Sequence, residues 1–276
     1  MTTTTRQERR AKLKAEMAKT AKSGMQADAE GDAWWWPVAA EARHLIDIFR
    51  GNGANRASAA ALHAHGFYDR ATKASKPDGQ PACAKGCSLC CTCPVTANAP
   101  EIFAVANHVR RTRGKDWNAV LEKMRVADRD TRYRDMSQPH VAPYPCPMLG
   151  PQGECTVYEA RPSACRALVS SSLQGCQQAF SGKPVPVPRL NMWWSLRAAH
   201  VYALEAAMAA NNLPTYHYAF IHALRIALED ETAEQRWLNG EDVFASVVRD
   251  REEAKEPAQD REARLAKLIA GAMAQE

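Results

Sequence analysis

The sequence predicts a mainly α-helical protein interrupted by an irregular, proline-rich cysteine segment. Three observations lead there. Apolar residues recur at helical spacing on both sides of the chain's middle. No run of convincing length alternates apolar with polar residues, and no internal repeat is visible. All nine cysteines lie within residues 83–176, and nine of the sixteen prolines within 139–188.

Residues 6–23 are polar with few large apolar side chains, so a helix there is weakly anchored. Pro37 suits the first turn of a helix running to Arg50, which places Ala40, His44, Leu45 and Ile48 on one face. Gly51-Asn52-Gly53 ends it, and an alanine-rich helix follows over about 54–73. Lys76-Pro77-Asp78-Gly79 is a turn signal. Asn98-Ala99-Pro100-Glu101 reads as a helix start, with Ile102, Val105, Ala106 and Val109 on the core face. Gly114 breaks that helix. Another spans about 115–130, with Trp117, Val120, Leu121 and Met124 inward. Prolines then deny residues 139–188 both helices and inner strands. A loop-rich stretch this long needs a local tie.

From Asn191 the pattern is helical again. Residues 191–210 carry only Arg197, His200 and Glu205 as strongly polar members, so this helix is buried on most sides. After Asn211-Asn212-Leu213-Pro214, Thr215 caps a helix to Asp230 with Tyr216, Phe220, Leu224 and Leu228 on one stripe. Further helices are expected near 241–253 and 257–274. The organisation reads as a basic flexible arm over 1–30 and one mostly helical domain over 31–276.

Composition narrows the function. Hydrophobic residues make up 46% and charged residues 24%, ordinary values for a globular domain. Nothing approaches the roughly 18 consecutive apolar residues of a membrane span. No apolar core follows Met1-Thr2-Thr3-Thr4-Thr5-Arg6, so no secretory signal is read and a cytoplasmic location is expected. The net charge of +5 resides in residues 1–25, which hold seven basic and two acidic side chains. Only that arm offers a polyanion such as nucleic acid any hold, and a weak one.

Cys83-x3-Cys87-x2-Cys90-Cys91-x-Cys93 puts five thiols within eleven positions. Cys146, Cys155, Cys165 and Cys176 follow at gaps too long for one knuckle, suited to a chain that returns repeatedly to a nucleated site. Short loops present several sulfurs to a metal at low closure cost. Gly86 permits an unusual φ where the chain wraps the site. Lys85, Arg161 and Arg166 favour thiolate over thiol. Arg161 and Arg166 could equally grip an anionic substrate or pair with a carboxylate such as Glu159. In an extended chain Cys90 and Cys91 point oppositely, so they serve two centres or one multinuclear cluster. Eight cysteines make two four-thiolate sites or one larger cluster with spares.

Rival readings fare worse. Disulfides need an export signal, and nine is an odd number. The Cys-x3-Cys-x2-Cys loop of radical S-adenosylmethionine enzymes belongs to strand–helix repeats, and Pro94 to Asp130 reads as helices alone. His140, six positions before Cys146, reads as an exposed loop histidine. His44, His200, His217 and His222 read as packing or hydrogen-bonding residues. Trp34-Trp35-Trp36 and Trp193-Trp194 read as core contacts. Gly51-x-Gly53 lacks the companion glycines of a nucleotide loop.

The double cysteine, Glu101-Ile102, Cys146 and Cys155-Thr156-Val157-Tyr158-Glu159-Ala160-Arg161-Pro162-Ser163-Ala164-Cys165-Arg166 together resemble the YkgJ-type cysteine-cluster family. That family is described as zinc- or iron-chelating and includes flagellin lysine N-methylases. The resemblance implies Cys83, Cys87, Cys90, Cys91, Cys146, Cys155, Cys165 and Cys176 as metal ligands, with Cys93 additional. It implies zinc or iron as the metal; the thiolates themselves are read as holding zinc or an iron–sulfur cluster, which makes the cysteine segment a metal-stapled one. It also implies an enzymatic alternative, an S-adenosylmethionine-dependent protein lysine N-methyltransferase acting on a protein substrate or partner. It assigns no catalytic residue.

Overall fold

The computed structural model describes residues 35–133, 144–181, 185–249 and 258–274. The predicted arm over 1–30, the helix over 6–23, Trp34 and His140 lie outside them. Ten α-helices and one two-stranded sheet make up the regular structure of these residues. The mainly α expectation holds.

Two helices open the chain, α1 (Trp35–Arg50) and α2 (Arg56–Ala74). Burial on α1 falls on Val38, Ala39, Ala42, Leu45, Ile46 and Phe49. The expected face is therefore rotated, and His44 lies exposed against His63 at 3.2 Å. Strand β1 (Thr96–Asn98) leads into α3 (Ala99–Arg113). Asn98 and Glu101 close a reciprocal capping box there, satisfying backbone donors that would otherwise be orphaned at the helix start. Gly114 follows at φ +51, and a 3-10 turn leads into α4 (Trp117–Thr131).

Short α5 (Ser163–Ala167) and α6 (Leu173–Phe180) lie in the cysteine segment. The long α7 (Asn191–Ala210) matches the sequence expectation at both ends. Its first amides are capped from far away: Asp78 accepts from Asn191 N–H at 2.9 Å. A carboxylate there also complements the helix dipole.

The largest departure follows. Residues His217–Ala219 form β2, not the first turn of a helix, and pair antiparallel with β1 in the register Asn98↔His217. The helix begins only at α8 (Phe220–Glu229). Three residues are too few for an alternating pattern to show in sequence. Likewise, residues 241–248 form turns after short α9 (Ala233–Leu238), and α10 (Ala258–Met273) closes the described chain.

Helix α7 is the hub, packing against α1, α2, α10 and α5. Much of the core is alanine, including Ala60, Ala61, Ala203, Ala206 and Ala207, which lets helices approach closely. Trp237, Phe103, Phe244 and Phe49 fill the larger gaps. No helix among the described residues is long and apolar enough to cross a membrane.

Candidate metal centre

The cysteine segment folds back on itself through backbone hydrogen bonds. Cys146 N–H donates to the Cys91 carbonyl at 2.8 Å, and Ala82 N–H to the Ser170 carbonyl at 2.8 Å. Ser170 N–H points at the Cys83 sulfur at 3.4 Å. An isolated antiparallel bridge joins Leu149 to Cys155. The late cysteines thus return to the early loop, as their gaps suggest.

Cys83 to Cys87 close around a tight turn. Cys87 N–H donates to the Ala84 carbonyl at 3.0 Å, and Gly86 sits at φ +86. A positive φ at the third turn position is what a type II turn requires. Gly153, at φ +76, lies against this turn. A Cβ there would come 2.9 Å from the Gly86 carbonyl oxygen.

Cys90 and Cys91 do not run extended. Leu89–Thr92 is a 3-10 turn, with Cys91 N–H bonded to Ser88 at 3.0 Å and Cys93 N–H to Cys90 at 3.1 Å. Both thiols sit on this turn, and the neighbouring Cys91 thiol bears on Cys90. The extended backbone on which opposed side chains were expected is absent, because the chain curls here. Cys93, before Pro94, is extended at φ −74, ψ 144.

All nine cysteines are free thiols. Electrostatic influence divides most of them into two groups around Cys90. Cys83 responds to Cys87, Cys90 and Cys176, while Cys165 responds to Cys146, Cys155 and Cys90. Burial pushes Cys83, Cys155 and Cys165 upward, and carries Cys146 to about 11. Cys93 is likewise raised to about 11 by burial. The Cys91 contact and then burial raise Cys90. Arg161 and Arg166 act in the expected direction, Arg166 on Cys155, but larger influences oppose them. Arg161 favours the thiolates of Cys90, Cys155 and Cys165, but burial outweighs it. Lys85 is exposed to solvent.

The two arginines have different settings. Arg166 is buried and pairs with both oxygens of Asp69 at 3.0 and 2.9 Å, not with the Glu159 carboxylate. It also donates to the Glu159 and Arg161 carbonyls. It is a structural clamp between α2 and the cysteine segment. Arg161 lies over the Tyr158 ring at 3.9 Å.

Beside the thiols runs a buried polar seam that the sequence did not reveal. Glu101 is 1% exposed. It accepts from Ser163 N–H at 2.6 Å and contacts His65 Nε2 at 3.1 Å. Burial works against its charge. The His65 contact and the Ser163 amide nevertheless hold the carboxyl at about 2. His200 pairs with Glu41, and His217 with Glu205 at 2.9 Å. His200, His217 and His222 therefore pack and pair as expected.

The donor set suits zinc or iron by its chemistry, since free sulfur ligands select those metals. Its arrangement is looser than a closed site. Among the described residues, no group of three or more His, Cys, Asp or Glu side chains stands ready to hold a metal ion.

Residues 82–183, a little over a third of the chain, match the model of the CxxCxxCC family, described as a putative zinc- or iron-chelating domain. The YkgJ-type assignment fits this domain. The spacing that names the family has two residues between its first cysteines. This chain has three, taken up by the Gly86 turn. No curated protein and no solved structure matches the chain.

Proposed function

We propose, on the premise that residues 82–183 carry a zinc- or iron-chelating domain, that the chain is a metal-binding protein holding zinc or an iron–sulfur cluster through thiolates. The ligands are Cys83, Cys87, Cys90, Cys91, Cys146, Cys155, Cys165 and Cys176. The observation that carries the reading is the lacing of the two cysteine halves, above all Cys146 N–H to the Cys91 carbonyl at 2.8 Å. That bond brings the late thiols back to the early loop.

Bound metal supplies the positive charge that buried thiols need before they lose their protons. The protein's part is to gather the sulfurs, keep them from water and hold them by backbone bonds. Free thiols fit a reducing, cytoplasmic setting. The enzymatic alternative, an S-adenosylmethionine-dependent protein lysine N-methyltransferase, rests on the resemblance alone.

The test is anaerobic purification followed by elemental analysis and a visible spectrum. A colourless protein with stoichiometric zinc supports thiolate zinc centres. A brown protein with iron and sulfide supports a cluster. A folded, metal-free protein with paired cysteines overturns the proposal.

A further inference from the structure

Four buried donors near the cysteine segment have no hydrogen-bond partner. They are Tyr68 Oη, Arg161 Nε, Arg197 Nε and Trp193 Nε1. Each such group is costly when left without a partner, so four in one neighbourhood call for an explanation.

They share a location. Tyr68, on α2, is 4% exposed and packs with Ala71, Ala167 and Leu196, with Trp193 and Trp194 alongside. Leu196 directly precedes Arg197 on α7. Arg161 and Arg197 both act on the Tyr68 phenol, which burial otherwise pushes up. The Tyr68 ring also meets His200, one helical turn after Arg197, edge-on at 6.0 Å.

The charge is not balanced there. Arg166 has Asp69, and His200 has Glu41. Among the described residues neither Arg161 nor Arg197 has a carboxylate partner. Arg161 rests on the Tyr158 ring and Arg197 on the Trp194 ring at 5.0 Å. Aromatic faces orient a guanidinium but leave its N–H edge free to donate. Arg161 also bears on Cys90, Cys155 and Cys165, so the spot borders the thiols. Neutralising thiolates would explain Arg161. It would not explain Arg197 or the phenol of Tyr68, since neither bears on a cysteine.

We propose that Tyr68, Arg161 and Arg197 form a binding site for a compact oxyanion, the carboxylate or phosphate group of a small molecule, at the edge of the cysteine centre. Such a group accepts several hydrogen bonds at once and matches guanidinium geometry. Trp193 supplies a further donor and an apolar wall.

The test is thermal unfolding of the metal-loaded full chain titrated with inorganic phosphate or with acetate, against chloride at equal ionic strength. Saturable stabilisation by one of the two is expected, and which one identifies the group. Tyr68→Phe removes a buried hydroxyl that has no partner, so the protein without anion should be at least as stable as before. Tyr68→Phe and Arg197→Gln should each weaken the anion's binding about tenfold. Metal per chain should stay at the unsubstituted level in both, which separates this site from the metal reading. Stabilisation no greater than chloride's, or equal stabilisation of the unsubstituted protein and Tyr68→Phe, overturns the proposal. Should Arg197→Gln not fold, Tyr68→Phe decides the matter alone.

Discussion

Glu101 accepts the backbone N–H of Ser163 at 2.6 Å, across 62 residues of sequence. One carboxylate thereby joins three parts of the molecule. It closes the capping box of α3, contacts His65 on α2, and fixes the start of α5 two residues before Cys165. Together with the Asp69–Arg166 pair, it fastens the cysteine segment to the helical body.

The first prediction concerns this carboxylate. Glu101→Gln should destabilise the fold by about 3 kcal/mol, because the buried His65 loses its charged partner. The pH dependence has a definite sign. The folded carboxyl titrates at about 2 against an ordinary 4.5, so its contribution is complete above pH 4.5 and fades as pH falls toward 2. Denaturant unfolding of both proteins across that range checks it. The stability difference should shrink with acid; a constant difference would refute the assignment.

A second prediction isolates the contact between the two loops. Gly153→Ala should cost about 1–3 kcal/mol, since alanine is strained at φ +76 and its Cβ would crowd the Gly86 carbonyl. Gly53→Ala is the control, with nothing within 4 Å of the added carbon and no positive φ. It should be neutral or slightly stabilising. Equal effects of the two substitutions would mean that Gly153 has no special role.

Metal removal should act locally. The helical body has its own apolar core, whereas the loops over 82–93 and 144–157 bury little beyond Met148 and Val157. Hydrogen exchange after chelation should quicken in those loops and stay slow in α3, α7 and α8. Retained protection at Ser163 is expected too, because Glu101 holds that amide without metal. Uniform loss along the chain would make the metal part of one cooperative unit.

Helix-period patterns made α3 and α4 legible, alanine richness α2, and the scarcity of polar residues α7. The start of α3 was legible from Asn98-Ala99-Pro100-Glu101, and the structure adds the reciprocal capping box. Strand β2 was not, since three residues carry no period and their partner β1 lies more than a hundred positions away. The cysteine segment was visible as a site from its spacing. Its internal geometry was hidden, because the curl at Cys90–Cys91 depends on 3-10 bonds that any sequence of small residues could make. Tyr68 and Asp69 gave no signal, being ordinary members of an alanine-rich helix. Arg197 did give one, as a cation inside an otherwise apolar helix.

The last prediction separates the three crowded cysteines. Cys90 and Cys91 share a 3-10 turn, and Cys91 also anchors Cys146 through its carbonyl. Cys93 leaves that turn in an extended conformation before Pro94 and responds electrostatically to Cys90 alone among the cysteines. Cys90, by contrast, bears on both Cys83 and Cys165. Cys93→Ser should therefore keep full metal content. On the proposed ligand set, Cys90→Ser and Cys91→Ser should each lose metal. Removing one thiolate from a four-ligand site weakens binding by orders of magnitude, since much of the binding free energy is folding free energy. Serine preserves size, so loss of metal is not a packing effect. Metal per chain in three identically purified variants is the measurement. If Cys93→Ser loses metal while Cys91→Ser keeps it, the ligand at that turn is Cys93 and the family's adjacent pair does not carry over to this chain.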